Sequence, residues 1–344
     1  MMSGSEIIFL VFLAPTVAGV GSFFVIKLML GPGVGQLPVD NPNPRSMHLD
    51  IVPRGGGVAI VFGTLAVLVL VVVTDHLSSP LVVSAVTLIL FALVGWFDDL
   101  RQLSIWFRLA IQSLFGIGLV VFFENPETVV IGGHPFALGF WWYVVSIPAV
   151  IWLINLYNFM DGIDGIAGLQ TFFAALAYAG LFFLVGESSF ALVWLGLASA
   201  TLVFLWFNWS PASLFMGDSG SLAIGALFAS GIVFGVAQLH LSLSVLLLPL
   251  GLFIVDATST LIRRVGARKS PFEAHRDHLY QRAARYWGHP ATALGSGLIV
   301  ILLSLLCAVD FIHYPPESLW PLLGLILLLV VGGAVFIWTQ LHQA

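Results

Sequence analysis

Charge is what this 344-residue sequence lacks: Asp, Glu, Lys and Arg make up 8% of it, against 59% hydrophobic residues. A water-soluble domain carries roughly a quarter charged residues, so most of this chain's surface must face lipid. Cysteine is nearly absent. The single Cys307, inside an apolar run, excludes an intramolecular disulfide and a multi-cysteine metal site and reads as a small core residue. Basic tracts are missing too, and with a net charge of −5 the chain offers a nucleic acid nothing to bind. Internal repeats and low-complexity tracts are also absent, which weighs against a transporter built from repeated units.

Present instead are apolar runs near residues 6–30, 55–74, 80–97, 105–123, 140–158, 165–185, 188–206, 219–238, 241–262, 292–313 and 318–338. Runs of about twenty residues cross a hydrocarbon core of ~30 Å at ~1.5 Å per residue. The expected fold class is all-α, a polytopic transmembrane helix bundle of about 10–11 spans, with residues 1–344 forming one unit. No basic residue precedes the first run, which reads as a retained helix rather than a cleaved signal. If the spans alternate, all twelve Lys and Arg fall on one face, while the loops around Asp75, Glu124, Glu187 and Glu317 carry acids only. The positive-inside bias makes the basic face cytoplasmic, with the N-terminus outside and the C-terminus inside. Residues 263–292 form a cytoplasmic Arg/His loop. Thr128 to Ile131 followed by Gly132-Gly133 predicts a small β-hairpin on the outer face.

Five segments depart from the apolar background, and the topology gathers them at the basic face. The first runs from Asn41-Pro-Asn-Pro-Arg45-Ser-Met-His48 to Pro53-Arg54-Gly55-Gly56-Gly57. The second is Asp98-Asp99 with Arg101 and Arg108. The third, Asn155-Leu-Tyr-Asn158-Phe-Met-Asp161-Gly-Ile-Asp164-Gly165, places a polar side chain at every third position, which on a helix end keeps neighbours within reach of one ligand. The fourth is Asn208 to Ser221, including Phe215-Met-Gly-Asp218-Ser-Gly-Ser. The fifth leads from Asp256 through Arg263 and Arg264 to His275-Arg276-Asp277-His278.

So many acids at one depth repel: two charges ~4 Å apart cost about 4 kcal/mol at an effective dielectric near 20. Arginines offset part of this and a divalent cation the rest. Oxygen donors without thiolates favour Mg²⁺, with Mn²⁺ as its substitute, and Mg²⁺ fills its shell with water and phosphate oxygens. Adjacent acids at the end of a span also oppose the helix dipole and require a counter-charge. Gly217-Asp218-Ser219 opens the next span and serves as an N-cap, as an anion site, or as both. Glycines beside Arg54 suit a backbone-lined phosphate pocket, and the Arg/His loop suits a diphosphate or sugar clamp. A polar turn is the plainer reading of the third segment, and a positive-inside anchor that of the first.

Taken together, Pro-Arg-Gly-Gly-Gly, the Asp pair, Asn-Phe-Met-Asp-Gly-Ile-Asp-Gly, Phe-Met-Gly-Asp-Ser-Gly-Ser and the His-containing last loop occur in this order from about Asn41 to Arg285. The pattern resembles the polyprenyl-phosphate N-acetylhexosamine-1-phosphate transferase superfamily, glycosyltransferase family 4, whose fold is a bundle of ten or eleven transmembrane helices with a cytoplasmic groove, and the resemblance implies a multi-pass protein of the bacterial cytoplasmic membrane. The resemblance implies transfer of a sugar 1-phosphate from a UDP-N-acetylhexosamine to undecaprenyl phosphate, with release of UMP and with Mg²⁺ as cofactor. Asp218 and Asn158 would hold the metal, Asp98 and Asp99 would form the catalytic pair, and Asp161 would support the metal site. Asp164 and Phe215 would recognise uracil, Arg108 would partner the Asp pair, and Gly55 and Gly56 would line the nucleotide pocket. Arg45, His48, Arg54, Arg264, His275, Arg276 and His278 complete the substrate-binding set. Expected partners are the UDP-sugar, undecaprenyl phosphate and membrane lipid, and a homodimer is allowed for.

Two departures, Gln102 where the family places Lys and a last loop without three successive histidines, turn the resemblance from the muramoyl-pentapeptide branch toward the one that starts O-antigen and capsule. A transporter is the reading from another class, and it predicts acids near the middle of several helices. A CDP-alcohol phosphotransferase would need spaced acids after Asp161-Gly-Ile-Asp-Gly that this sequence does not supply.

Overall fold

The computed structural model describes residues 4–32, 37–40, 51–270 and 275–313, together with Gly324 and Gly332. Ten helices among these residues are long and apolar enough to cross a membrane, and the chain is a multi-pass membrane protein. In chain order they begin with α1 (Gly4–Met29), α2 (Gly56–Thr74), α3 (Ser79–Arg101), α4 (Ile105–Phe122) and α5 (Trp141–Phe159). These are followed by α6 (Ile166–Leu184), α7 (Ser188–Asn208) and α8 (Asp218–Leu239). The ninth crossing is discontinuous: α9 (Leu243–Leu247), a 3₁₀ turn over Leu248–Leu250 and α10 (Gly251–Gly266). Pro249 accounts for the break, since it has no N–H for the helical ladder, and the Gln170 amide donates to its carbonyl at 2.7 Å. The tenth, α11 (Leu279–His313), starts earlier than the apolar run predicts and kinks at Gly288 (φ 77, ψ 168), ahead of Pro290. The expected span at 318–338 lies outside the described residues apart from its two glycines.

The core is organised around α8, whose spanning residues are all buried. A helix apolar on every side belongs inside a bundle, and α2, α3, α4 and α5 surround it. Peripheral α1 and α4 expose Phe9, Phe12, Trp106 and Leu114, as lipid-facing helices should. At the end opposite the polar segments, β3 (Val129–Ile131) and β4 (His134–Phe136) pair antiparallel. Gly132 and Gly133 both have positive φ, the two-residue hairpin turn that the sequence predicts. A second small pair, β1 (Val39–Asp40) with β2 (Val52–Pro53), went unpredicted. Cys307 is buried.

Because the helices alternate in direction, the C-terminal ends of α3, α5, α7 and α10 share one end of the bundle with the N-terminal ends of α2, α4, α6, α8 and α11.

Candidate active site

Main chain meets main chain where α2, α3 and α8 converge. A Cβ on Gly57 would lie 2.1 Å from the Gly220 Cα, and one on Gly95 would lie 2.1 Å from the Asp218 carbonyl oxygen; only glycine allows such approach. The Gly55 and Gly56 N–H groups donate to the Phe215 carbonyl at 3.2 and 2.9 Å, that of Gly57 to Met216 at 2.8 Å, and Phe215 N–H returns a bond to Pro53 at 2.9 Å. The glycine turn therefore commits its N–H groups to the 215–216 backbone, and the space beside its Cα atoms is filled by Trp96, Phe204 and Gly220, so it braces the site from behind instead of offering its backbone to a ligand. Arg54, beside it, pairs with Asp40 at 2.8 Å and approaches Asp99 at 3.7 Å.

The adjacent acids of α3 turn opposite ways. Asp98 accepts from Leu103 N–H at 2.7 Å and from Arg108 Nη1 at 2.6 Å. Asp99, its side chain fully enclosed, accepts from the backbone N–H groups of Asp218 and Ser219 at 3.1 and 3.3 Å. The counter-charge demanded by two acids at a helix C-terminus is thus an arginine for one and the N-terminus of another helix for the other. The anion site at the start of α8 is filled by Asp99, and the N-cap is Gly217, with no side-chain cap. Asp218 itself accepts from Asn158 Nδ2 at 2.8 Å and lies 3.8 Å from Arg108 Nη1, while Asn158 also donates to Ser221 at 2.9 Å.

Three carboxylates, Asp98, Asp99 and Asp218, thus face two arginines, Arg108 and Arg54. The local charge stays negative before Asp161 is counted, and the donors are all oxygen. That chemistry suits Mg²⁺, which needs only one or two protein carboxylates. Among the described residues no three His, Cys, Asp or Glu close on one point as a complete cage, so water and phosphate oxygens would have to fill the shell. In this structure Asn158 faces Asp218 through its amide nitrogen.

Helix α5 ends at Phe159, so Asn155 and Asn158 lie on the helix while Asp161 and Asp164 lie on the loop beyond. Burial pushes the Asp161 carboxyl up to about 7, against the pull of Arg54 and with Asp99 and Asp164 adding to the rise. Burial works the same way on Asp164 but is outweighed by hydrogen bonds from His289, Ser210 and the Ala212 N–H, which hold it below the usual carboxylate range. His289 Nδ1 and Ala212 N each lie 3.3 Å from its Oδ2. Gly165 has φ 78 and donates to Asn208 Oδ1 at 2.9 Å, which ties this loop to the segment carrying Phe215. The Phe215 ring is half-buried.

The Arg/His residues form a second cluster, on α10 and the segment that leads into α11. Arg264 is buried and reaches Asp277 at 2.5 Å and the Ser270 carbonyl at 2.8 Å. His278 is also buried, its Nδ1 3.2 Å from Asp256. Asp256 further accepts from the N–H groups of Leu279 and Tyr280, both at 2.9 Å, and so caps α11. His275 stacks on His278 at 4.9 Å; burial, with His278 and Arg264 beside it, pushes its imidazole down to about 4. Arg276 is half-buried, and its carbonyl accepts from Arg285 at 2.8 Å. The two clusters join through α11: Tyr280 donates to the Phe159 carbonyl at 3.0 Å, and His289 meets Asp164. Arg45 and His48 lie outside the described residues.

Sequence reasoning passed over Tyr280, His289 and Gln112; Asn155, expected within reach of a ligand, instead donates from Nδ2 to Gln112 Oε1 at 2.7 Å. Only His289 carried a local signal: Gly288-His289-Pro290 interrupts a helix-forming run where a kink would turn a side chain inward.

The chain is 29% identical over 313 residues to a probable undecaprenyl-phosphate N-acetylglucosaminyl 1-phosphate transferase of Bacillus subtilis, covering 85% of this chain and 82% of that protein. It is 29% identical over 284 residues to the phospho-N-acetylmuramoyl-pentapeptide-transferase of Desulforudis audaxviator, 72% of this chain and 83% of the relative. The enzyme of the same name from Streptococcus pneumoniae serotype 19F is 29% identical over 185 residues, 51% of this chain and 57% of the relative's length. Residues 81–236, the stretch that brings Asp98, Asp99, Arg108, Asn158 and Asp218 together, match the family model of glycosyl transferase family 4.

Proposed function

We propose that this chain transfers an N-acetylhexosamine 1-phosphate from a UDP-sugar to undecaprenyl phosphate, releasing UMP and forming the lipid-linked sugar diphosphate that begins a cell-envelope glycan such as O-antigen. The observation that carries the reading is the convergence of Asp98, Asp99 and Asp218, from two helices, with Arg108 and Asn158 from two more. The acids stand at one end of the bundle rather than at its middle, which favours an enzyme over an ion path.

In the proposed reaction an oxygen of the lipid phosphate attacks the sugar-bearing phosphorus of the donor. The bond from that phosphorus to the bridging oxygen breaks, and UMP leaves. Such a transfer needs positioning and charge neutralisation more than covalent catalysis. Arg108, held by Asp98, would orient the incoming phosphate. Asp99, through two N–H bonds, fixes where Asp218 stands. Asp218 and Asn158 would hold Mg²⁺, with Asp161 supporting, and the metal would offset the charge developing on UMP. Asp164, fastened by His289 and Ala212, would shape the uracil pocket beside Phe215. Arg264, His275, Arg276 and His278 would border the donor's sugar side, and Arg54 would line the nucleotide side, with Gly55 and Gly56 holding the Phe215 backbone behind it. The reading places this end of the bundle in the cytoplasm, the N-terminus outside and the C-terminus inside.

The test is UMP release by the purified protein given undecaprenyl phosphate and a panel of UDP-N-acetylhexosamines, including 6-deoxy sugars and UDP-MurNAc-pentapeptide, with Mg²⁺, with Mn²⁺ and with a chelator. Turnover with one donor, lost on chelation, is the expected outcome, and the donor that works names the sugar. Silence with every donor would overturn the reading. Asp218→Asn should lose at least about a hundredfold in turnover with an unchanged helical spectrum.

A further inference from the structure

Helix α4 supplies the site with Arg108 yet is held to the bundle by little. Its buried residues are Gln112, Gly116, Leu119 and Val120, and the last three lie one or more turns further from the site. On the half nearest the acids, burial falls to Gln112 alone, which is 1% exposed. Ile111 and Phe115 add partly buried contacts, Phe115 on Phe91 at 4.9 Å, but apolar area gives little drive to seat a lipid-facing helix, because hydrocarbon tails cover an apolar face as well as another helix does. A directional bond does fix it. Gln112 Oε1 accepts from Asn155 Nδ2 at 2.7 Å, Gln112 Nε2 lies 3.4 Å from Asn155 Oδ1, and Asn155 also donates to the Ile151 carbonyl at 2.8 Å within α5.

The pair stands one turn from the chemistry on both helices. Gln112 follows Arg108 by four residues, so the two share a face of α4, and Asn155 precedes Asn158 by three on α5. Arg108 and Asn158 in turn meet at Asp218, 3.8 and 2.8 Å away. We infer that the Gln112–Asn155 amide pair is a positioning device, setting the rotation and depth of α4 against α5 so that Arg108 stands between Asp98 and Asp218. The inference rests on the function proposed above for those acids.

The test is a double-mutant cycle of Gln112→Leu, Asn155→Leu and the double variant, read by donor-dependent UMP release. In the same backgrounds, α4 register is read by the disulfide yield of cysteines at Gly116 and Ile147, neighbours across α4 and α5: a Cβ on Gly116 would lie 3.6 Å from Ile147 Cγ2. Each single variant leaves one amide buried without its partner. Each should lose about ten- to a hundredfold in turnover, with the donor KM nearly unchanged and the disulfide yield reduced. The double variant should fall no further than the worse single, since one interaction is removed once. Wild-type turnover in Gln112→Leu, an unchanged disulfide yield, or losses that multiply in the double variant would each overturn the inference. If the unmodified chain released no UMP from any donor, the functional reading would fail while the disulfide yield would still decide whether the pair sets the register.

Discussion

Replacing Gly162 by alanine sets a single methyl group against a single hydroxyl. The new Cβ would lie 2.1 Å from the Tyr280 hydroxyl oxygen, about 1.3 Å short of ordinary contact at 3.4 Å, with Tyr280 Cζ at 3.2 Å and Gln281 Nε2 at 3.3 Å. Gly162 has a backbone angle that alanine adopts freely, so the whole effect is the collision. Tyr280 cannot swing away, being 5% exposed and bonded to the Phe159 carbonyl at 3.0 Å. Overpacking of this kind costs about 1–3 kcal/mol. The loop that yields carries Asp161 and Asp164, so turnover should drop by about ten- to a hundredfold. Tyr280→Phe deletes the colliding atom and one hydrogen bond, about 0.5–1.5 kcal/mol, and leaves Cζ at a distance that small shifts accommodate. The double variant Gly162→Ala with Tyr280→Phe should therefore be more active and more heat-resistant than Gly162→Ala alone. UMP release and the thermal midpoint in detergent measure both. Wild-type behaviour of Gly162→Ala, or a double variant worse than either parent, would refute the packing argument.

A contrasting outcome is expected for Gly57→Ala, whose Cβ meets the backbone of Gly220 at 2.1 Å: no side chain can retreat, so turnover should fall further and no substitution at neighbouring side chains should restore it. Arg108→Lys should keep part of the activity by retaining one charged contact to Asp98, whereas Arg108→Gln leaves Asp98 and Asp218 without their shared cation and should lose at least about a hundredfold; equal rates in the two would contradict the assignment. His275, held at about 4 in the folded chain against its ordinary 6.5, takes up its proton more readily when unfolded. Stability should therefore decline as pH falls from 6.5 towards 4, and His275→Gln should flatten that decline in thermal-midpoint measurements.

Ten of the spans, the hairpin and the gathering of polar segments at one end were legible in the residues, because each depends on a local sum. Twenty apolar residues cross a bilayer whatever they pack against, two glycines close a hairpin, and arginines cluster on one face. The break at Pro249 and the kink at Gly288 were local as well, yet an apolar run concealed the first and a charged stretch that reads as loop concealed the second. Which carboxylate meets which partner was another matter. Nothing in Asp98-Asp99 says that one turns to Arg108 and the other to the first turn of α8, or that His278 faces Asp256 and His289 faces Asp164. Those choices depend on how far each helix is rotated and inserted relative to its neighbours. In a lipid-facing helix such as α4, apolar periodicity leaves that setting open, and it is decided by a few buried polar contacts between residues far apart in the chain, Gln112 with Asn155 among them.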